Sequence, residues 1–123
     1  MRSKSLLAGT LLLALIGASV ALGSCSRPST AEVTLVNDAQ FDVTRCDVTL
    51  GDASTTVNVI ASKTAAVIVL PVRTDGHYIV NLKFANGDKL HAELGYVTSG
   101  FNYKDVLTIH ANGIDLTSTQ VSK

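Results

Sequence analysis

The chain has 123 residues, with ten basic and ten acidic side chains and a formal charge of zero at neutral pH. This length suits one domain, and the lack of a basic run argues against nucleic acid or anionic lipid headgroups as partners. With no tryptophan, three Tyr, three Phe and abundant Val and Thr, the composition favours β-strands.

Arg2 and Lys4 lie near the start of the chain, and an uncharged, apolar run follows from Leu6 to Leu22. A basic start before an apolar segment is typical of an export signal, whose apolar part enters the bilayer as a helix. The run ends in Leu22-Gly23-Ser24-Cys25, which resembles the lipobox of bacterial lipoproteins. The resemblance implies cleavage before Cys25 and acylation of its thiol, so residues 1–24 are expected to be a lipoprotein signal peptide.

Two alternatives remain for this segment. An apolar run of about 17 residues is at the lower limit for a membrane span, so it would be a short uncleaved anchor. An ordinary secretory signal cut near Ala21 would instead leave Cys25 as a free thiol. If Cys25 is acylated, Ser26 favours the outer membrane by resemblance to lipoproteins of Gram-negative bacteria. The domain would then face the periplasm or the cell exterior, held there by its lipid.

Residues 25–31 have the composition of a lipidated tether, which spans roughly 20 Å when fully extended. From residue 32 onward apolar and polar residues alternate with period two, between turns rich in Gly, Asn, Asp and Ser. We therefore predict a β-domain over residues 32–118 and a C-terminal tail over 119–123.

The period-two pattern divides this domain into short strands. The predicted strands are Glu32–Val36, Phe41–Leu50, Thr56–Ile60, Ala65–Pro71, His77–Phe84, Lys89–Leu94, Asp105–Ala111 and Ile114–Thr117, with Tyr96–Thr98 as a short extension. Seven or eight short strands in one domain predict an all-β fold, a single antiparallel β-sandwich. An Ig-like topology fits by analogy alone, because the paired cysteines and core Trp of antibody domains are missing.

Two of these strands carry a further signal. The apolar parity switches within the second strand, which predicts a bulge or bend near Thr44-Arg45. The run from Ala65 to Leu70 is almost continuously apolar, which predicts a strand covered on both faces.

The first of two Asn-Gly pairs, at residues 86–87, is predicted to lie in a three-residue loop. Only this length pairs Leu82 with Leu90, whereas a two-residue loop would bring charged residues opposite the apolar face. We expect Gly87 to adopt a left-handed conformation in a bulge.

The second Asn-Gly pair, at residues 112–113, fits a two-residue type I′ turn that pairs Ala111 with Ile114. This register also brings His110 opposite Asp115 on the outer face of the sheet.

No residue pattern indicates catalysis, a metal site or a cofactor. His77, His91 and His110 are widely separated and lack the close spacing of metal ligands, so we interpret them as solvated strand residues, with His91 near Asn81. Ser99-Gly100 is not part of a G-x-S-x-G nucleophile turn.

Cys46 is expected to be a small buried hydrophobe, since Val48 and Leu50 share its parity. The alternative is a reactive or intermolecular thiol.

One segment, residues 95–104, contains three of the six aromatic residues together with two glycines. Rigid aromatic side chains on a connection between strands make a suitable contact surface for a partner. The alternative is structural: Tyr96 and Phe101 would close one end of the sandwich while Tyr103 hydrogen-bonds to a corner. The candidate partner-binding residues are Tyr96, Thr98, Phe101, Asn102, Tyr103 and Lys104.

The function expected from these features is that of a non-catalytic, lipid-anchored envelope protein that binds or assembles with an envelope protein. It would dock through the 95–104 segment or through an unpaired sheet edge. The main alternative is an envelope inhibitor or exclusion factor, which blocks a hydrolase or the entry of phage or plasmid. A carrier of a small apolar ligand and a metal-binding lipoprotein are the third and fourth alternatives.

Overall fold

A computed structural model describes residues 29–123, so the predicted signal peptide and Cys25 lie outside the described residues. Within this range the secondary structure consists of eight strands: β1 Thr30–Asn37, β2 Val43–Leu50, β3 Ala53–Val57, β4 Ala65–Pro71, β5 Gly76–Phe84, β6 Lys89–Val97, β7 Asn102–His110 and β8 Gly113–Ser122. Residues 29–123 include no helix long and apolar enough to cross a bilayer.

The strands form two four-stranded sheets, one in the order β4-β1-β7-β8 and the other in the order β3-β2-β5-β6. Neighbouring strands are antiparallel except for β1 and β7, which pair in parallel. The two sheets enclose one core, which confirms the predicted all-β sandwich.

The core follows directly from the alternation of side chains. Along β1 every second residue is buried, and Val33 and Leu35 are 0% exposed. Successive side chains of a strand point to opposite faces, so this pattern turns one face of each sheet inward. Burying a side chain of this size stabilises the fold by roughly 1.5–3 kcal/mol.

Three predictions about register and packing are confirmed. The pairing of β2 with β5 shifts between Val43 and Arg45, where the parity switch predicted a bulge. Leu82 pairs with Leu90, and Gly87 has a φ of 95°, as expected for the three-residue loop. Cys46 is 0% exposed in the core.

The predicted type I′ turn is wrong. The loop consists of residues 111–112, which places Ile109 opposite Ile114 and His110 opposite Gly113. Neither loop residue has a positive φ, which a type I′ turn requires at both positions. The observed register differs from the predicted one by two residues, so the same faces stay inward and apolar residues still meet.

Several strand boundaries also differ from the prediction. The third strand lies at residues 53–57 rather than 56–60, and Ile60 makes only an isolated bridge to Val43. β6 includes the predicted extension as far as Val97, and β1 begins at Thr30 within the predicted tether. β8 continues to Ser122, so most of the expected tail is strand.

The prediction that Ala65–Leu70 is covered on both faces is wrong. β4 is an edge strand, and its outer face is open, with Val67 60% and Val69 59% exposed. Its inner face packs on the core through Ile68 and Leu70. The continuous apolar run therefore marks a buried face and an exposed apolar face on one strand.

The sandwich has two ends, which matter for the site. Ser29 precedes β1 at one end, together with the loops at residues 51–52, 72–75 and 98–101. We call this the Ser29 end. The loops at residues 38–42, 58–64, 85–88 and 111–112 lie at the opposite end.

Candidate functional site

The 95–104 segment connects β6 to β7, crosses from one sheet to the other, and lies at the Ser29 end. It begins at a β-bulge, because the β5–β6 register shifts between Gly76 and Tyr78. Gly95 provides the required backbone conformation, with a φ of 71°. The turn at Gly100 also has a positive φ, of 94°.

The loop at residues 98–101 is held by hydrogen bonds to its backbone. The N–H of Thr98 donates to the hydroxyl oxygen of Tyr103 at 2.8 Å, and the N–H of Ser99 donates to Oδ1 of Asp75 at 2.7 Å. The N–H of Gly100 donates to Oγ of Ser29 at 2.9 Å. The loop is therefore attached both to the neighbouring turn and to the start of the described chain.

Tyr96 is the most exposed of the aromatic residues in this segment, at 60%. Its hydroxyl lies 3.4 Å from Oδ2 of Asp75, and its ring meets His77 edge-on with 5.7 Å between ring centroids. The negative charge of Asp75 raises the pKa of the Tyr96 hydroxyl. The ring thus remains a neutral, amphipathic surface with one polar tip.

The other candidate residues divide between structure and surface. Tyr103 hydrogen-bonds to the corner, as the structural alternative expected, while Oδ1 of Asn102 accepts a 2.9 Å bond from the N–H of Thr30. Phe101 is half-buried, with Nζ of Lys123 5.4 Å from its ring centroid. Lys104 is exposed. Tyr96 and Lys104 are therefore the side chains most open to a partner.

The three histidines occupy separate local environments. Nδ1 of His91 lies 2.6 Å from Oδ1 of Asn81, the neighbour expected from the sequence. Nε2 of His110 lies 3.1 Å from Oδ2 of Asp115, although the two residues are offset along the strands. Across residues 29–123, no group of three or more His, Cys, Asp or Glu side chains is placed to hold a metal ion.

Cys46 has the environment of a core residue. Burial, with a smaller contribution from the neighbouring charge of Asp47, raises the pKa of its thiol to about 12. A thiol of this kind is almost entirely protonated at physiological pH, and the thiolate is the reactive form.

A buried polar pair was missed from the sequence. The hydroxyl of Tyr78 on β5 donates a 2.6 Å hydrogen bond to Oδ2 of Asp105 on β7, joining the two sheets. Burial is the main cause that raises the pKa of Tyr78. Asp105 is 3% exposed, and its Oδ1 has no hydrogen-bond partner among the described residues. The only sequence signal was the position of Asp105 in phase with Leu107 and Ile109.

A group of basic residues was also missed, because it comes from three different strands. The register places Lys83 of β5 between Arg45 of β2 and Lys89 of β6 on the outer face. They border a shallow depression of about 200 Å³. Only the pairing of strands brings these charges together, so no run of basic residues was visible in the sequence.

Comparison with known proteins supports the fold. No protein-family model and no curated protein matches this chain. The chain is similar to the NMR structure of a protein from Eubacterium rectale, with 17% identity and a TM-score of 0.56 over 75% of this chain and 90% of that one. It is also similar to a putative cell adhesion protein from Bacteroides ovatus, with 11% identity and a TM-score of 0.51. That match covers 77% of this chain but only 45% of the Bacteroides protein.

Proposed function

We propose that this chain is a non-catalytic, lipid-anchored envelope protein that acts as a protein-binding or assembly module. Its anchor is an acylated Cys25, exposed as the first residue when residues 1–24 are removed. The lipobox-like sequence Leu22-Gly23-Ser24-Cys25 supports the anchor. The compact sandwich and the aromatic residues of the 95–104 segment support a role in binding.

The position of Ser29 is the observation that carries this proposal. Ser29 Oγ accepts a hydrogen bond from Gly100, and β1 begins at the next residue. Only four residue steps separate Cys25 from Ser29, a reach of about 14 Å at most. An acylated Cys25 would therefore hold the Ser29 end of the sandwich close to the lipid surface.

This orientation defines where a partner would bind. The 95–104 segment would lie near the membrane, with Tyr96 on the outer face of β6. A partner suited to this surface is another envelope protein that stands at the same membrane. An exposed tyrosine ring provides apolar contact area and a hydrogen-bonding tip at a low cost in conformational entropy.

The inhibitor alternative requires a projecting loop that enters an active site or pore. Successive backbone N–H groups of the 98–101 loop are instead bonded to Tyr103, Asp75 and Ser29.

The anchor is tested by intact-mass analysis of the protein purified in detergent from its native host. We expect a chain that begins at Cys25 and carries the mass of fatty-acyl groups. The variant Cys25→Ala should lack this mass and leave the membrane fraction. A mature chain without fatty-acid mass, or one that retains Met1, would contradict the proposal.

The binding surface is tested by affinity purification from membranes, comparing Tyr96→Ala with Phe41→Ala. Phe41 is 38% exposed and lies at the opposite end of the sandwich, so it is a matched control. We expect capture of an envelope protein to fall at least tenfold for Tyr96→Ala and to stay unchanged for Phe41→Ala. Equal capture by both variants would remove Tyr96 from the site.

A further inference from the structure

The edges of the two sheets differ in how they are protected. Each edge strand presents backbone N–H and C=O groups that lack a neighbouring strand, and these groups can pair with another chain. Proteins block such edges with charged side chains, bulges, proline or short strands. The four edge strands are β4 and β8 in one sheet and β3 and β6 in the other.

Three of these edges carry protective features. β3 has only five residues, and β6 exposes Lys89, His91 and Glu93 before its bulge at Gly95. The β7–β8 register shifts between Lys104 and Asp105, where β8 bulges. Each of these features hinders a further strand from pairing along the edge.

β4 has no such feature over most of its length. Residues 64–72 contain no charged side chain, and the β1–β4 register runs without a shift from Thr30–Pro71 to Val36–Ala65. Val67 and Val69 are 60% and 59% exposed on its outer face. The only protective residue is Pro71, at the end of the strand.

The hydrogen bonds at both ends of β4 show which of its backbone groups are free of β1. The N–H of Asn37 donates to the carbonyl of Thr64, and the N–H of Val72 donates to the carbonyl of Ser29, both at 2.9 Å. Hydrogen-bonding direction alternates along an antiparallel strand, so even-numbered residues of β4 face β1. The N–H and C=O groups of residues 65, 67 and 69 therefore point away from the sheet.

We propose that the β4 edge binds the β4 edge of a second copy of this chain, in antiparallel register about a two-fold axis at Val67. Val67 then pairs with Val67 of the other copy, and Ala65 pairs with its Val69. Each of these pairs exchanges two backbone hydrogen bonds through the outward-pointing groups. Pro71 falls opposite Lys63, whose φ of 63° places it outside the strand, so the missing N–H of proline is not needed.

The edge is complementary to itself, which is why a second copy is the occupant. A two-fold contact requires one surface to match its own copy, and an uncharged strand meets itself without opposing like charges. The pairing also brings exposed β-branched side chains into contact on one continuous face. A two-fold axis parallel to the strands would instead give a parallel pair in which each residue lies opposite its own copy. The backbone groups of two residues that both point outward would then face each other, and the hydrogen-bond pattern of parallel strands does not allow this.

This inference is independent of the anchor and of the Tyr96 surface, and it uses the opposite side of the sandwich. In the antiparallel pair, the two Ser29 residues lie at opposite ends of the joined sheet. Two copies on one membrane would therefore lie with their strands along the surface.

Cysteine cross-linking of the full-length chain in intact cells tests the register directly. Paired residues of this kind have Cα atoms about 5.5 Å apart, within the range of a disulfide. We expect Val67→Cys to form a disulfide-linked dimer on a non-reducing gel. Val69→Cys alone should form no such dimer, whereas Val69→Cys and Ala65→Cys produced in the same cells should form one. The wild type reports the background from Cys25 and Cys46, and Val121→Cys, 51% exposed on β8, is the matched control.

The outcomes separate the possible occupants of the edge. A dimer from Val67→Cys at least tenfold above both controls supports the proposal. Equal cross-linking from Val69→Cys alone, no dimer at any position, or a cross-link to a chain of different mass would each overturn it. None of these results bears on acylation of Cys25, so failure here is distinct from failure of the proposed anchor.

Charge exchange provides a second test that does not depend on disulfide chemistry. Val67→Lys and Val67→Glu would each place like charges opposite each other, so each variant alone should be monomeric. Mixing the two should restore a dimer if residue 67 meets its own copy. Monomers in the mixture, with dimers in the wild type, would contradict the register.

Discussion

The two long sides of the sandwich, formed by different pairs of edge strands, are built differently. On the side of β6 and β8, Gly95 allows close approach: a Cβ there would lie 2.6 Å from Cδ2 of Leu116 on β8. Tyr78 lies beneath the same bulge and hydrogen-bonds across to Asp105. We call this the closed side.

On the side of β3 and β4, which we call the open side, several apolar side chains are exposed. Val59 is 64% exposed just after β3, and Val67 and Val69 are exposed on β4. The comparison teaches that this small domain uses close packing, charge and bulges to protect one side. On the other side, β4 keeps the backbone groups and the apolar surface that strand pairing requires.

The largest expected effect is at the closed side, from Gly95→Ala. The substitution forces alanine into a left-handed conformation and its Cβ against Leu116. We expect a loss of about 2–3 kcal/mol in the free energy of unfolding, measured by denaturant titration. The control is Gly87→Ala, where φ is also positive but an added Cβ would meet no neighbouring side chain or backbone within 4 Å. Its expected loss is about 1 kcal/mol. Equal losses would show that Gly95 is not packed against β8.

Tyr78→Phe should have the next largest effect, because it removes the hydrogen bond that joins the sheets. Both oxygens of the buried Asp105 would then lack a partner among the described residues. We expect a loss of about 1–3 kcal/mol in the free energy of unfolding. Tyr103→Phe, which removes a hydroxyl from a half-buried corner, should cost less. The reverse order would contradict the role given to the buried pair.

Alkaline pH tests whether the interior behind the open side is dry. Cys46 lies on β2, next to the β3 edge, and its pKa is raised from 9.0 to about 12 in the folded chain. Because the pKa is higher in the folded chain, the protonated thiol contributes fully to the free energy of unfolding below pH 9. This contribution is lost as the pH rises towards 12. Between pH 8.5 and 10.5, the free energy of unfolding of the wild type should fall by on the order of 1–2 kcal/mol more than that of Cys46→Val. Identical pH profiles would indicate that water reaches the thiol.

The smallest effect on stability is expected on the open side. Val69→Lys changes an exposed side chain, so the free energy of unfolding at low protein concentration should change by less than about 0.5 kcal/mol. Self-association should nevertheless be lost, as seen by sedimentation in mild detergent, while Val121→Lys should leave it intact. A large loss of stability in dilute Val69→Lys would show that the β4 surface is part of the core.

The alternation of apolar and polar residues was sufficient to predict the sandwich. The requirement that apolar residues pair on one face was sufficient to select the three-residue loop that contains Gly87. It failed at the 111–112 turn, because two registers that differ by two residues keep the same faces inward. The apolar run in β4 was misread because sequence hydrophobicity does not show whether the outer face of a strand has a neighbour. The Tyr78–Asp105 pair joins residues 27 apart on different sheets, so only the packing of the sheets reveals it.

Residue-level hydrogen exchange along β4 tests the contrast between the two sides most directly. If the edge pairs with a second copy, the amides of residues 67 and 69 should become more protected as the protein concentration rises. They should become unprotected in Val67→Lys, while the amides of residues 66 and 68 stay protected by β1. Fast exchange at residues 67 and 69 at every concentration, beside protected even-numbered neighbours, would contradict the account.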